Sequence, residues 1–580
     1  MMKNEVGEVR PGQLITTYGP GAIMDSVNDS LVILDLNYWD NAYEKIYDRR
    51  LAQFLGKDFF KKIPTRGKQD LPSIPFPNFH VCSNNKCRRL FDIRENFLMG
   101  EYLKKGPVCP DCSWKAYPAR FVVSCAERNH LDDFPWRWWS HGKEETSCRG
   151  KLTLTSSGNT SSLASLGVGC ECGAWEPMKG ATQESSFSGL RCTGNHPHRL
   201  NKKSVCNSSV IPLQRGASNV YFPALRSAIS IPEKGDRGFQ LIVEFEQEIR
   251  EYEEDFGEKG LEKIYERKLM EQEIFNSLED FLDRWEKYKK FNGDELNKYE
   301  QIKQIEYEAL TNFNDKVDLK DFKAEVVPVP SDLNPFFNKI VKAHRLKEIL
   351  VLLGFMRNES PEPDVKEPKS IVWLGSSSNS NWLPAVEVHG EGIFIEFNRE
   401  SINKWLDENK LVNKRSKKYS TLYEEWLELK GWENQTEKDA VYVLLHTFSH
   451  LLIKQLAYQS GYSSASIKER IYYSEKMAGI LLYTGSTDQE GSLGGLVEMG
   501  DIAKLRKLIL DSLEEATFCA SDPDCSVQEP TEDNHLNGAS CFACTMMAET
   551  SCETGNRLLD RSLIIETMDS EIKPFFEGII

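Results

Sequence analysis

No stretch of this sequence approaches the roughly 18 consecutive apolar residues that a membrane span requires. The opening MMKNEVGEVR is not followed by the apolar core of a secretory signal. Together these absences point to the cytoplasm. Positive charge is in short supply too: 72 Lys and Arg stand against 88 Asp and Glu, a net charge of −16. A free-standing nucleic-acid binder usually shows the opposite balance. DNA contact is therefore expected to be local or borrowed from a partner. No Walker A motif, helicase motif or nuclease carboxylate set is evident, and cysteine is missing between Cys206 and Cys519.

What is present lies on either side of that gap. Ten cysteines run from Cys82 to Cys206 and five from Cys519 to Cys552. Disulfide scaffolds belong to short secreted domains, whereas clustered thiols in a long cytosolic chain are metal ligands. Cys82 and Cys87 (CSNNKC) with Cys109 and Cys112 (CPDC) form the pattern of a zinc ribbon or treble clef. Four thiolates leave no open coordination position, so the role is structural. Next come Cys125, His130, His141 and Cys148, read as a second donor set, and Cys170, Cys172, Cys192 and Cys206 as a third. His196 and His198 are substitutes in that third set, and CEC is tighter than the usual CxxC. At the far end, Cys541 and Cys544 make a knuckle completed by Cys525 and Cys552, with Cys519 as the rival for Cys525's place. The cofactor reading is three to four structural Zn2+ ions.

Other features carry two readings each. Pro135, Trp136, Trp138 and Trp139 either stack on bases or pack around a metal; packing is the better reading. Runs at Lys86, Arg88 and Arg89, at Arg199, Lys202 and Lys203, and at Lys414, Arg415, Lys417 and Lys418 read as solvated surface. Glu246 to Leu310 is dense in charge, with Ile264, Leu269, Ile274, Leu278 and Leu282 at helical intervals. This predicts long surface helices with a turn at Asn292, Gly293 and Asp294, or else a partner-docking arm. Pro328 to Pro335 reads as a linker, Arg345 to Phe355 as a core helix, and WLPAVEVHGEGIFIEFN as a strand pair turned at Gly390 to Gly392.

Glu437 to Gln459 predicts an apolar helix carrying His446 and His450 one turn apart, a metal-ligand spacing. The sequence is HTFSH, lacking the glutamate that activates water in a zinc protease, and polar residues at an inter-element contact are the favoured reading. A strand (MAGILLYTG) then leads through the glycine loop DQEGSLGGL into a helix. GSLGG and the N-terminal YGPGA both lack the Lys and Ser/Thr of a phosphate loop and read as tight turns. The fold class is α+β and multidomain: an N-terminal segment (1–80), a multi-zinc ribbon or treble-clef-like region (81–215), a charged helical region and linker (216–335), and an α/β C-terminal domain with a further zinc site (336–580).

In order along the chain, RPGQLITTYGPGAIMD, CAERNHLDDFPW, HTFSHLL, SGYSSASIKERIYY, DQEGSLGGL, NGASCFAC, ETSCE and NRLLDR resemble the B-protein family of the DISARM bacterial anti-phage systems. The resemblance spans essentially the whole chain. From about Trp382 the sequence is also similar to a helicase-associated domain of unknown function that occurs fused to or beside DEAD/DEAH-type helicases. The resemblance implies a heterodimer with the system's A protein, a superfamily 2 helicase-like ATPase, with DNA engaged mainly through that complex. It implies a non-catalytic accessory subunit of a restriction-like defence system. A cryptic hydrolase or nuclease built on His446, His450 and the glycine loop is the rival.

Overall fold

Two strands of unusual length organise the molecule. In the computed structural model, which describes residues 9–580 apart from 27–28, 40–43, 63–70, 97–105, 157–161, 232–236, 273, 291–297, 363–364, 367–369, 376–379, 435, 486–494 and 569–570, the central sheet is built from Phe222–Ser230 (β1), Phe322–Val327 (β2), Phe337–Met356 (β3), Trp382–Phe397 (β4), Ile467–Tyr473 (β5) and Ala478–Thr484 (β6), with short strands added at its margins. One edge of β3 pairs with β2 along its first half and with β1 along its second. Its other edge pairs with β4, which continues through β6 to β5.

This arrangement overturns three expectations. Arg345 to Phe355 is not a helix; it is the second half of β3. From Ile349 to Met356 nearly every side chain is buried, so both faces are covered and the alternation that marks a half-exposed strand is erased. Nor do Gly390 to Gly392 turn a hairpin. β4 runs straight through them, and they lie beside a bulge where the β3 pairing shifts register between Ala343 and Leu346. A Cβ on Gly390 would overlap the Thr484 carbonyl oxygen of β6, so the glycine permits close approach between strands rather than a reversal. Finally, Pro328 to Pro335 joins β2 to β3, neighbours in one sheet, and Leu333 within it is buried. β1, before residue 335, and β3, after it, belong to the same sheet, as does Phe59–Lys62, which pairs in parallel with β4.

Helices cover both faces of the sheet. Tyr299–Thr311 (α1) packs against β1 and β5, and Ala440–Ser460 (α2) against β5 and β6. Asp439 caps α2 by accepting the N–H groups of Val441 and Tyr442. Among the described residues α2 is long and apolar enough to cross a membrane, and 83% of its most apolar stretch is buried within the protein. The charged middle segment forms helices, including Glu246–Phe256, Glu258–Ile264 and Leu278–Lys290. They enclose a small core of their own around Ile249, Leu261, Leu269, Phe281 and Trp285. The turn expected at Asn292, Gly293 and Asp294, and most of the DQEGSLGGL loop, lie outside the described residues.

Ahead of the sheet, residues 79–214 form short antiparallel sheets. The larger orders its strands Trp175–Pro177, Leu166–Cys170, Leu152–Ser156, Arg89–Asp92, Phe79–Cys82 and Ala116–Pro118; the smaller orders Leu131–Asp133, Phe121–Cys125 and Val210–Gln214. Their shared core holds Trp136, Trp138 and Trp139, which are 2%, 8% and 0% exposed and pack with Phe134 and Phe187. These indoles are core, with no face left for a base.

Candidate metal centres

Strand ends and tight turns bring the cysteines together. Cys82 closes the strand Phe79–Cys82, and Cys87 follows one turn later; Cys109 and Cys112 occupy a second turn, ended by Ser113 at φ 58°. All four donor sulfurs lie within 4.8 Å of one another. Cys82 stands 3.4 Å from Cys112 and Cys87 3.7 Å from Cys109. Such separations are far too long for a disulfide. Tetrahedral zinc, with Zn–S near 2.3 Å, sets its sulfurs about 3.8 Å apart.

The next two centres are interleaved, and here the structure corrects the sequence reading. Cys125 and His130 meet Cys192 and Cys206, while His141 and Cys148 meet Cys170 and Cys172. The strand Leu131–Asp133 folds back along Phe121–Cys125 and sets His130 beside Cys125. The tryptophan helix Trp136–Ser140 then carries His141 away toward the strand ending at Cys170. Cys125 is 3.7 Å from Cys206, and His130 Nδ1 is 3.2 Å from Cys192. His130 Nε2 lies 2.9 Å from the Ser204 hydroxyl, which fixes the ring. In the other centre His141 Nε2 faces Cys172 at 3.3 Å while its Nδ1–H donates to the Arg137 carbonyl at 2.7 Å. The CEC pair therefore serves one centre, its two sulfurs reached by the turn at Gly173. His196 and His198 join neither set: His196 lies against Ser204, and His198 is buried edge-on to Phe355.

At the C-terminal end the donors are Cys519, Cys525, Cys541 and Cys544. Cys519 and Cys525 both belong, with Cys519 3.4 Å from Cys541 and Cys525 3.7 Å from Cys544. Cys552, expected here, stands elsewhere, beside His446, His450 and Glu469. The two histidines do lie at a contact between elements, against the Leu558 and Thr545 carbonyls, and share it with Glu469 and Cys552 in a cluster of four possible donors. Glu469 and its grouping with Cys552 escaped the sequence reading, because the four residues come together only through the packing of α2 on β5 and the C-terminal loop.

Electrostatics makes these sets incomplete on their own. The hydrogen bond from Cys192 holds Cys125 down at about 3, and that bond together with burial pushes Cys192 well up. Likewise Cys525 lowers Cys544 to about 5 and is itself raised, while burial pushes Cys82 up to about 12. One thiolate thus forces its neighbours to keep their protons, and only a cation lets all ionise together. Backbone N–H groups already point at the sulfurs, from Asn84 to Cys82, Arg128 to Cys125, Gly150 to Cys148 and Ser521 to Cys519. The residues present fit zinc in donor type, spacing and orientation.

The second centre is tied to the central sheet. Arg357, just past β3, is 2% exposed and donates to the carbonyls of Asn129, Val220 and Gly21 at 3.1, 2.5 and 2.8 Å. Burial brings its guanidinium down to about 9. Asn358 donates to the Cys125 carbonyl at 3.0 Å. A metal holding Cys125 and His130 therefore also fixes the loop on which the zinc region meets β3.

Comparison with known proteins bears on the C-terminal centre and on the chain as a whole. Residues 448–545 match the MrfA Zn-binding domain, a span that takes in all four cysteines of the C-terminal centre. Residues 10–222 match a family described as a domain of unknown function (DUF8724). Over 562 residues, covering 96% of this chain and 100% of the relative, the sequence is 63% identical to the DISARM protein DrmB of Bacillus paralicheniformis (strain ATCC 9945a / NCIMB 11709 / CD-2). The chain belongs to the DrmB family. This DrmB-family chain is a mixed α/β protein with a zinc-binding domain and several further Cys/His clusters.

Several motifs that carried the resemblance are structural in the fold. In NRLLDR, Asp560 is fully buried and accepts from Arg415 Nε and Tyr419 Oη, each at 2.8 Å. In NGAS, a Cβ on Gly538 would strike Asp560 and Arg415. In HTFSH, the Thr447 hydroxyl accepts the Asp560 N–H at 2.9 Å.

Proposed function

We propose that this DrmB-family chain is a non-catalytic, zinc-braced accessory subunit that binds a helicase-like ATPase of the same system and supports its engagement of DNA in cytoplasmic anti-phage defence. The observation that carries this reading is the 63% identity to a DISARM protein along nearly the whole chain. Its charge supports a division of labour. Non-specific DNA affinity comes from counterions released at cationic surfaces, and a chain at −16 gains most of that term from a partner. In this reading the four Cys-rich centres are structural zinc sites, three in the 81–215 region and one in the 336–580 domain, and they shape loops instead of performing chemistry.

Stacking on bases falls to other aromatics than the buried tryptophans. Trp114 and Tyr117, exposed by 57% and 49%, flank Lys115 at one edge of the six-stranded sheet of the zinc region, and Trp175, exposed by 51%, lies on the strand at its opposite edge. Base–aromatic stacking contributes about 1–3 kcal/mol per base, enough for this subunit to hold a displaced strand presented by its partner.

Co-expression with the neighbouring helicase-like ATPase, with the tag on this chain alone, tests the reading. The expected result is a complex that survives size exclusion, and no ATP hydrolysis by this chain purified by itself. A chain that elutes alone at concentrations well above those in the cell overturns it.

A further inference from the structure

The buried cluster where α2 meets β5 has the geometry of another metal site. His446 and His450 occupy one face of α2, Glu469 lies on β5, and Cys552 follows the short turn Glu549–Ser551. His446 Nε2 is 3.0 Å from Glu469 Oε1 and 3.1 Å from Cys552 Sγ, and His450 Nε2 is 3.6 Å from the same carboxylate oxygen. All four donor atoms fall within 4.8 Å of one another.

The surroundings decide which atoms carry protons. His446 Nδ1 is 3.2 Å from the Leu558 carbonyl oxygen and His450 Nδ1 2.9 Å from that of Thr545. A carbonyl only accepts, so each Nδ1 bears the hydrogen and Nε2 is the ring atom left to face the cluster. Glu469 is held from behind by the Glu553 N–H at 3.0 Å and by the Ser449 hydroxyl, and Cys552 Sγ accepts the Asn556 N–H at 3.2 Å. The two Nε2 atoms, the carboxylate oxygen and the sulfur thus converge, and His450 Nε2, fully buried, has no hydrogen-bond partner. A proton on a ring nitrogen bridges it to one neighbour; a cation satisfies all four atoms together. Backing of each ligand by a backbone carbonyl, an N–H or a hydroxyl is how metal ligands are oriented.

We propose that His446, His450, Glu469 and Cys552 bind one further zinc ion, separate from the four Cys-rich centres. Two imidazoles, one carboxylate and one thiolate suit tetrahedral Zn2+. With every position filled from the protein in a buried pocket, the ion is structural. A nucleophilic Cys–His–Glu relay does not fit, because it needs the acid on the ring nitrogen opposite the thiol, and here thiol and carboxylate face the same Nε2. The ion would pin α2 and β5 to the C-terminal loop, and it accounts for His446 and His450 of HTFSH, the glutamate of KERIYY and the cysteine of ETSCE. The zinc-domain match, residues 448–545, takes in His450 and Glu469 and ends before Cys552. The inference does not depend on the accessory-subunit reading.

Native mass spectrometry of the full chain, with zinc measured in parallel by elemental analysis, tests it. Five ions are expected in the wild type and four in both Cys552→Ala and His450→Ala, while Cys541→Ala, a change in the C-terminal cysteine centre, leaves this ion in place. Should the two variants fail to fold, the wild-type count decides. Four ions in the wild type, or no loss in folded Cys552→Ala and His450→Ala, overturns the proposal.

Discussion

Stripping zinc from the purified chain is expected to unfold residues 79–214 while the central sheet persists. Around the first centre the core consists of its four cysteines with Phe91, Ile93 and Ala116. Three apolar side chains cannot hold that part of the fold, and the larger core around the tryptophans is itself built with the donors Cys125, Cys170 and Cys192, so metal loss is expected to loosen both. A structural zinc contributes about 10–16 kcal/mol at neutral pH, as much as or more than the net stability of a typical domain, about 5–15 kcal/mol. The sheet, by contrast, has a large apolar core running from Leu14 to Phe576 in which no cysteine takes part. Trp136, Trp138 and Trp139 report directly, since all three are buried in the zinc region. With excess chelator their emission shifts to the red and new protease cuts appear between residues 79 and 214. Unchanged emission after elemental analysis has shown the metal to be gone would contradict this account.

Glu306→Ala is expected to destabilise the sheet domain by about 3–5 kcal/mol, because it leaves a buried guanidinium without its counter-charge. Strand alternation creates the pair. On β5, Glu469 faces α2 and the next residue, Arg470, points through the other face toward α1. There Arg470 Nε and Nη2 meet the two Glu306 oxygens at 2.6 and 2.9 Å, in bidentate geometry. Tyr472 Oη and the Ile229 N–H also donate to Glu306, at 3.2 and 2.9 Å. Arg470 is 2% exposed and Glu306 is 0% exposed, so water cannot take over either role. The drop appears in chemical denaturation followed by far-UV circular dichroism. Replacing both residues together by apolar ones of similar volume restores much of the loss, since the two charges no longer need each other. A Glu306→Ala loss under about 1 kcal/mol would show that the site is hydrated.

The donors were legible in the sequence, and their partners only in part. Cys82, Cys87, Cys109 and Cys112 come together as their spacing suggests, because two short turns each supply one pair. Cys125, His130, His141 and Cys148 look like one set because they are contiguous, yet a strand and a helix intervene and send the halves to different sheets. Such interleaving is a property of tertiary structure, and spacing carries no trace of it. Cys552 was drawn to the nearest cysteines for the same reason. Strand β3 misled differently: buried on both faces, it lost the period-two signal, and an apolar run from Ile349 to Phe355 suits a core helix equally well. Gly390 and Gly392 carry the usual mark of a turn, whereas what they serve is the close approach of β4 to β6. α2, capped by Asp439, and β6 were legible because each is a long, uniform run with clear ends.

The most direct measurement is a DNA titration of the partner ATPase's hydrolysis rate, with and without this chain. The account predicts that adding the zinc-loaded chain lowers the DNA concentration needed for half-maximal stimulation. The chelated chain is expected to lose that effect. An identical DNA dependence with and without the chain, in a complex shown to be assembled, would contradict it.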